Sequence, residues 1–126
     1  MDSITSETRT LRKLSKNLVE IVFHDNALLT VDNAIEDSRI YDEFTGKKRF
    51  KKLVIIGLYT KGNVEARKQI ALENSKRRTK IKAEAIVVKT PLIKVGVTIY
   101  QFYLQQKYPC KVFSSREKAL EWLEEF

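Results

Sequence analysis

The sequence predicts an α/β fold: an opening β-hairpin, then alternating helices and strands around a mostly parallel sheet of four to five strands. Three observations carry this expectation. The runs Leu53-Val54-Ile55-Ile56 and Ala83-Glu84-Ala85-Ile86-Val87-Val88 are short, apolar and rich in β-branched residues, the composition of strands buried on both faces. Thr30, Asn63 and Ser114 stand as caps ahead of stretches with helical spacing. The resulting order of elements is hairpin, helix, strand, helix, strand, helix, strand, helix, which implies a largely parallel sheet with right-handed crossovers.

Taken in order, residues 1–7 are expected to fray. Residues 8–14 make a weakly patterned edge strand. Ser15-Lys16-Asn17 turns the chain into residues 18–23, where Leu18, Val19, Ile21, Val22 and Phe23 surround an outward Glu20. Thr30 caps a helix over 31–44 with Val31, Ala34, Ile35, Ser38 and Tyr41 inward. Asp32 and Glu36 lie near its positive end, and Gly46 stops it. Residues 53–59 form the central strand, and Thr60-Lys61-Gly62-Asn63 the turn after it. Asn63 caps a second helix over 64–78, whose inward residues Val64, Ala66, Ile70 and Ala71 are mostly small. After the strand at 83–88, Thr90-Pro91 starts a helix over 92–106, because Pro at the first helical position loses a hydrogen bond the helix does not need. Residues 110–113 are a short strand. Ser114 and Glu117 fit a capping box for a last helix with Ala119, Trp122, Leu123 and Phe126 on one face, Phe126 within the core.

A chain of 126 residues is expected to form one domain, 1–126, with a core that needs no staples. The single cysteine, Cys110, permits no internal disulfide and fits a reducing cytoplasm. There is no secretory-signal pattern at Met1 and no apolar run long enough for a membrane span. The net charge of +8 is uneven: residues 1–46 carry −4, residues 47–82 carry +11, and the remainder +1.

That middle third supplies the strongest compositional signal. Lys47, Lys48, Arg49, Lys51 and Lys52 precede one strand, and Arg77, Arg78 and Lys80 precede another. If those strands are parallel neighbours, the two clusters merge into one basic patch at the N-terminal edge of the sheet, suited to phosphates or an acidic protein face. The bland alternative is a solvated edge, with Arg77 and Arg78 complementing a helix C-terminus. Only Phe50 interleaves with the clusters, whereas single-strand binders carry several stacking aromatics.

The second candidate is the turn Thr60, Lys61, Gly62 and Asn63, with Arg67 nearby. It lies where open α/β sheets place their function, beyond the carboxyl ends of the strands. Its helix start could hold an anion, although capping alone accounts for Asn63. A third candidate is a stripe for self-association, Ile93, Val97, Tyr100 and Leu104, left over once the sheet has covered the other stripe of the same helix. His24 and Cys110 lack the neighbours that metal or nucleophilic chemistry needs, and Asp32, Glu36, Asp37, Asp42 and Glu43 read as a solvated helix face. No set of acid, base and nucleophile can be assembled, no phosphate-binding Gly loop is present, and no cofactor is expected.

With these elements in place, the chain resembles the STAS-like, or anti-sigma-factor-antagonist-like, fold family, and in particular its short uncharacterised bacterial members. The resemblance covers roughly residues 8–126. It rests on the element order, Glu65-Ala66-Arg67, Ala85-Ile86-Val87-Val88, and the ending Pro109-Cys110-Lys111-Val112-Phe113-Ser114-Ser115-Arg116-Glu117-Lys118-Ala119-Leu120-Glu121-Trp122-Leu123. It implies a protein-binding module that is not an enzyme. In better-known relatives a Ser or Thr at the helix start after a central strand is phosphorylated. The matching turn here lacks their Asp-Ser-Ser-Gly pattern and offers Thr60 alone.

The leading expectation is therefore a cytoplasmic, non-enzymatic interaction domain, regulatory in character, with a protein partner or a second copy of itself. The alternative is binding of polyanion or nucleic acid through 47–52 and 76–82. A third reading is an apolar ligand held under the aromatic helix 92–106.

Overall fold

The computed structural model describes residues 2–77, 79–91 and 108–126. Its elements are β1 (Ser3–Thr5), β2 (Arg9–Ser15), β3 (Leu18–Phe23), β4 (Leu28–Leu29), α1 (Val31–Thr45), β5 (Phe50–Ile55), β6 (Lys61–Gly62), α2 (Val64–Lys76), β7 (Ile81–Val87), β8 (Cys110–Phe113) and α3 (Arg116–Leu123). Six strands form one sheet in the order β1-β2-β3-β5-β7-β8, while β4 and β6 make a separate two-stranded ledge. The pairs β1–β2 and β2–β3 are antiparallel; β3–β5, β5–β7 and β7–β8 are parallel.

The sheet has one strand more than expected. Residues 3–5 do not fray: they pair with β2, and Lys13 N–H donates to Asp2 O at 2.9 Å beside them. The strand expected at the edge, β2, is therefore internal.

Parallel strands in sequential order place α1 and α2 together on one face, where they pack on each other and on a core of Leu11, Val19, Ile21, Phe23, Tyr41, Phe44, Phe50, Val54 and Ile86. The helix α3 lies on the other face, against Leu53, Ala83, Ala85 and Val87 through Ala119 and Leu123. Period-two alternation explains the split: Phe50, Lys52 and Val54 point to one side of β5, and Leu53 and Ile55 to the other.

Local signals act as the chemistry demands. Thr30 Oγ1 accepts from Asn33 N–H at 3.1 Å, and Asn33 Oδ1 accepts from Thr30 N–H at 2.8 Å, a reciprocal cap. Gly46 ends α1 with φ +68°, a left-handed conformation that glycine adopts without steric cost. Asn63 Oδ1 accepts from Ala66 N–H at 2.8 Å and caps α2. The last helix is capped by Ser115, which accepts from Lys118 N–H, and not by Ser114. Phe126 is 43% exposed rather than core, and the expected inward residues Ile35 and Val64 are each 49% exposed. Pro91 is helical. The expected helix over 92–106 and the self-association stripe Ile93, Val97, Tyr100 and Leu104 lie outside the described residues, as does Arg78.

Candidate functional site

Two loops leave the carboxyl ends of β3 and β5 and are stitched together. Asn26 N–H donates to Leu58 O at 2.7 Å, Leu58 N–H to Asp25 Oδ1 at 2.7 Å, and Lys61 N–H to Ala27 O at 2.9 Å. Gly57 permits this approach: a Cβ there would stand 2.4 Å from Phe23 O and 2.7 Å from the His24 carbonyl carbon. The stitched loops carry the β4–β6 ledge, so Lys61 and Gly62 are paired with Leu28 and Leu29 and are not a free turn. The Thr60 hydroxyl donates to Gly57 O at 2.8 Å. Asn63 spends its side chain on the α2 cap.

The ledge exposes apolar surface. Leu28 is 62% exposed, Tyr59 70% and Val64 49%. Tyr59 also holds φ +58°. That left-handed conformation costs a residue with a Cβ about 1–2 kcal/mol, a strain that clusters at functional positions. Lys61 and Arg67 are exposed close by in sequence, and Lys89 pairs with Asp25 at 3.6 Å at the same end of the sheet.

Beneath the ledge, between the sheet and α2, lies a cavity of about 440 Å³. Thr60, Lys61, Gly62 and Arg67, four of the residues singled out in the sequence, line it together with the apolar Ile21, Phe23, Leu29, Val54, Ile56, Ile70 and Ile86. The polar lining is Arg9, Lys52, Asn74 and Glu84. Lys52 and Glu84 face each other across β5–β7 with Nζ to Oε1 at 3.7 Å, both nearly sequestered from water. Burial pushes the Lys52 ammonium below its ordinary range, against the opposing pull of Glu84. Lys52 Nζ also donates to Asn74 Oδ1 at 3.1 Å, and Tyr108 Oη donates to Glu84 Oε1 at 2.6 Å. Burial, then the Glu84 charge, holds the Tyr108 phenol far above its usual value.

The two basic clusters adjoin at the N-terminal ends of the parallel neighbours β5 and β7, where Phe50 N–H donates to Lys80 O at 2.9 Å, but some of their members leave the surface. Lys47, Lys48 and Arg49 are exposed and Lys80 is half-buried. Lys52 and Arg77 are buried, each at 5% exposure. Arg77 clamps α1 to α2: its Nε donates to Asp42 Oδ1 at 2.6 Å, its Nη2 to Ser38 O at 3.0 Å and to Ser38 Oγ, and its guanidinium lies 4.8 Å from the Tyr41 ring centre. Lys51 Nζ donates to Leu123 O at 3.0 Å and so complements the C-terminal end of α3. On the other side of the same edge, Lys13, Lys16, Lys47 and Lys48 line a groove of about 420 Å³.

Sequence reasoning missed three functional-site contributors: Arg9, Lys52 as a cavity residue, and Glu84. A signal existed. Lys52 and Glu84 each interrupt an otherwise buried strand, and two such charges of opposite sign in neighbouring strands predict a pair. Asp37, expected on a solvated face, is 2% exposed; it accepts from the Thr8 hydroxyl and pairs with Arg9 at 3.3 Å. Among the described residues no group of His, Cys, Asp and Glu could hold a metal ion, and no helix is long and apolar enough to cross a membrane.

This architecture, a parallel-majority sheet with two helices on one face and a terminal helix on the other, is a STAS-like fold. A solved structure with this arrangement is that of an uncharacterised protein from the DUF3478 family with a SpoIIAA-like fold, from Shewanella loihica PV-4. It is 15% identical, with a TM-score of 0.65 over 95% of this chain and 98% of that one, a likeness that shows the fold alone. The chain itself belongs to the family described as a domain of unknown function (DUF7793), whose model matches residues 12–126. No curated protein matches the sequence.

Proposed function

We propose that the protein is a cytoplasmic, non-enzymatic interaction module that docks a protein partner on the β4–β6 ledge. One observation carries the reading: Tyr59 holds a strained left-handed backbone while its ring stays 70% exposed. Folding gains little from an aromatic ring left in water, so a partner that buries the ring is the natural compensation. Leu28 and Val64 extend the apolar surface, and Lys61 and Arg67 give it a basic rim suited to an acidic partner face. The non-enzymatic reading rests on the absence of an acid, base and nucleophile set in the sequence.

The substitution Tyr59→Asn separates folding from binding. Asn tolerates the left-handed region, so the variant should be more stable by about 1 kcal/mol. The same variant should lose a stoichiometric, nuclease-resistant partner that the wild type retains from native cell extract. Retention of that partner by Tyr59→Asn at wild-type strength would remove the ledge from the proposal.

The groove lined by Lys13, Lys16, Lys47 and Lys48 favours a second reading, binding of a polyanion at the opposite edge. It predicts affinity for single-stranded nucleic acid that falls steeply with salt, and capture from extract that disappears on nuclease treatment. Undetectable binding at low salt ends that reading.

A further inference from the structure

We infer that the cavity under the ledge binds a small neutral molecule, an apolar body carrying one hydrogen-bond acceptor, and selects against ions. The inference rests on the interior of the cavity and is independent of what docks on the ledge.

Charge balance is the first observation. Two sequestered cations, Arg9 and Lys52, line the cavity, and each is matched by a buried carboxylate. Arg9 Nη2 stands 3.3 Å from Asp37 Oδ2, and Lys52 Nζ stands 3.7 Å from Glu84 Oε1. Each pair has further partners. The Thr8 hydroxyl donates to Asp37, the Arg9 guanidinium stacks on Phe23 at 4.4 Å from the ring centre, and Tyr108 Oη donates to Glu84. An ion entering this space would shed its water and find no countercharge to spare. Lys61 and Arg67 also line the cavity, but both are exposed, where water and salt screen them.

The walls supply the rest of the recognition. Ile21, Phe23, Val54, Ile56, Ile70 and Ile86 are apolar and favour burial of a hydrocarbon or aromatic body. The helix α2 does not fill the space over them: the residues it buries are Ala66 and Ala71, while its larger Val64 and Leu72 are about half exposed. The volume, about 440 Å³, falls in the range of small-molecule sites. One uncharged donor marks a polar end. An ammonium only donates, so Asn74 turns its Oδ1 to Lys52 Nζ at 3.1 Å and leaves its Nδ2 as a neutral donor on a residue of the cavity wall. That group suits the oxygen of an alcohol, a ketone or an ester.

Calorimetric titration of the full chain with 1-octanol, and separately with octanoate and octylammonium, tests the inference. The compounds share one chain length and differ in charge. The wild type should bind octanol, and each ion at least roughly tenfold more weakly. No octanol binding to the wild type at millimolar concentration overturns the proposal, and that result depends on no variant. Either ion binding as tightly as octanol overturns the selection for a neutral ligand. Ile70→Trp fills the cavity from α2 and should abolish octanol binding, with thermal unfolding as the check that it folds. Binding that survives in the folded variant overturns the site, because the ledge is left unchanged. Asn74→Asp keeps an acceptor for Lys52 but removes the amide donor, and should weaken octanol several-fold. Unchanged affinity in that variant overturns the assignment of the polar end.

Discussion

The two faces of the sheet are built on opposite plans. Toward α3 the sheet presents Leu53, Ala83, Ala85 and Val87, closed by Ala119 and Leu123, and its buried carboxylate, Glu20 of β3, is met by the exposed Arg116 of α3 at 2.8 Å and by Arg12 at 3.0 Å. Alanines let the helix approach closely, and the seal is made by dispersion and dehydration. Toward α1 and α2 the same strands present Lys52 and Glu84 among their apolar residues, and a cavity remains under the ledge. Buried ion pairs are weak contributors to stability, since desolvation offsets much of the attraction. On the first face the buried carboxylate is thus answered by arginines that stay in water, whereas the second buries both partners of Lys52–Glu84 beside open volume that stability alone does not require.

The sharpest way to break this comparison is to remove one buried charge. Glu84→Ala leaves Lys52 with Asn74 as its remaining acceptor and strips Tyr108 of its partner. It should cost roughly 3–5 kcal/mol in denaturant unfolding. Replacing the pair together, Lys52→Met with Glu84→Leu and Tyr108→Phe, should recover most of that loss. If the triple variant is as unstable as Glu84→Ala, the charges are structural after all and the two faces do not differ in kind.

The acid limb of stability offers a second, smaller probe. The hydrogen bond from Arg77 is the main cause holding the Asp42 carboxyl below its ordinary range. A carboxylate whose folded value lies below its unfolded value, about 3.9, contributes stability that is complete above the unfolded value. That contribution is lost as the pH falls through the depressed folded value. Unfolding midpoints measured from neutral pH downward should therefore fall less steeply for Asp42→Asn than for the wild type. Parallel curves would show that the clamp between α1 and α2 does not depend on this charge.

The smallest effect belongs to the solvent side of α1. Arg39 contacts Glu36 and Glu43 at 2.6 Å each, shorter than the buried Lys52–Glu84 contact at 3.7 Å. All three side chains are more than half exposed, and water and salt screen them. Arg39→Ala should leave the thermal midpoint within measurement scatter. A clear drop would mean that distance, and not burial, ranks the charges of this protein.

Much of the local structure is legible in the sequence because its causes are local. Thr30 and Asn63 cap the helices they precede, Gly46 stops α1 by taking positive φ, and the apolar run in 18–23 marks β3, although Glu20, expected outward, is buried and paired with Arg116 of α3. Ser115 was missed in favour of Ser114 because two adjacent serines offer the same hydroxyl, and only the backbone path decides which is extended. The edge strand at 3–5 was missed because its pairing with β2 is fixed by the register of another element. Of the site, Thr60, Lys61, Gly62 and Arg67 were legible as residues beyond a strand end, but the cavity they line was not.

The sequence by itself determined the class of fold and most boundaries of the described helices, because hydrophobic period and capping chemistry act within a few residues. Only the tertiary structure decided which charges leave the surface. Lys51 reaches α3, Lys52 enters the cavity, and Arg77 clamps two helices, though all three read as members of one basic patch. The physical reason is that a charge's fate depends on the desolvation and partners supplied by distant segments. Arg9 meets Asp37, and Lys52 meets Glu84, only once the sheet has formed and α1 has packed against it.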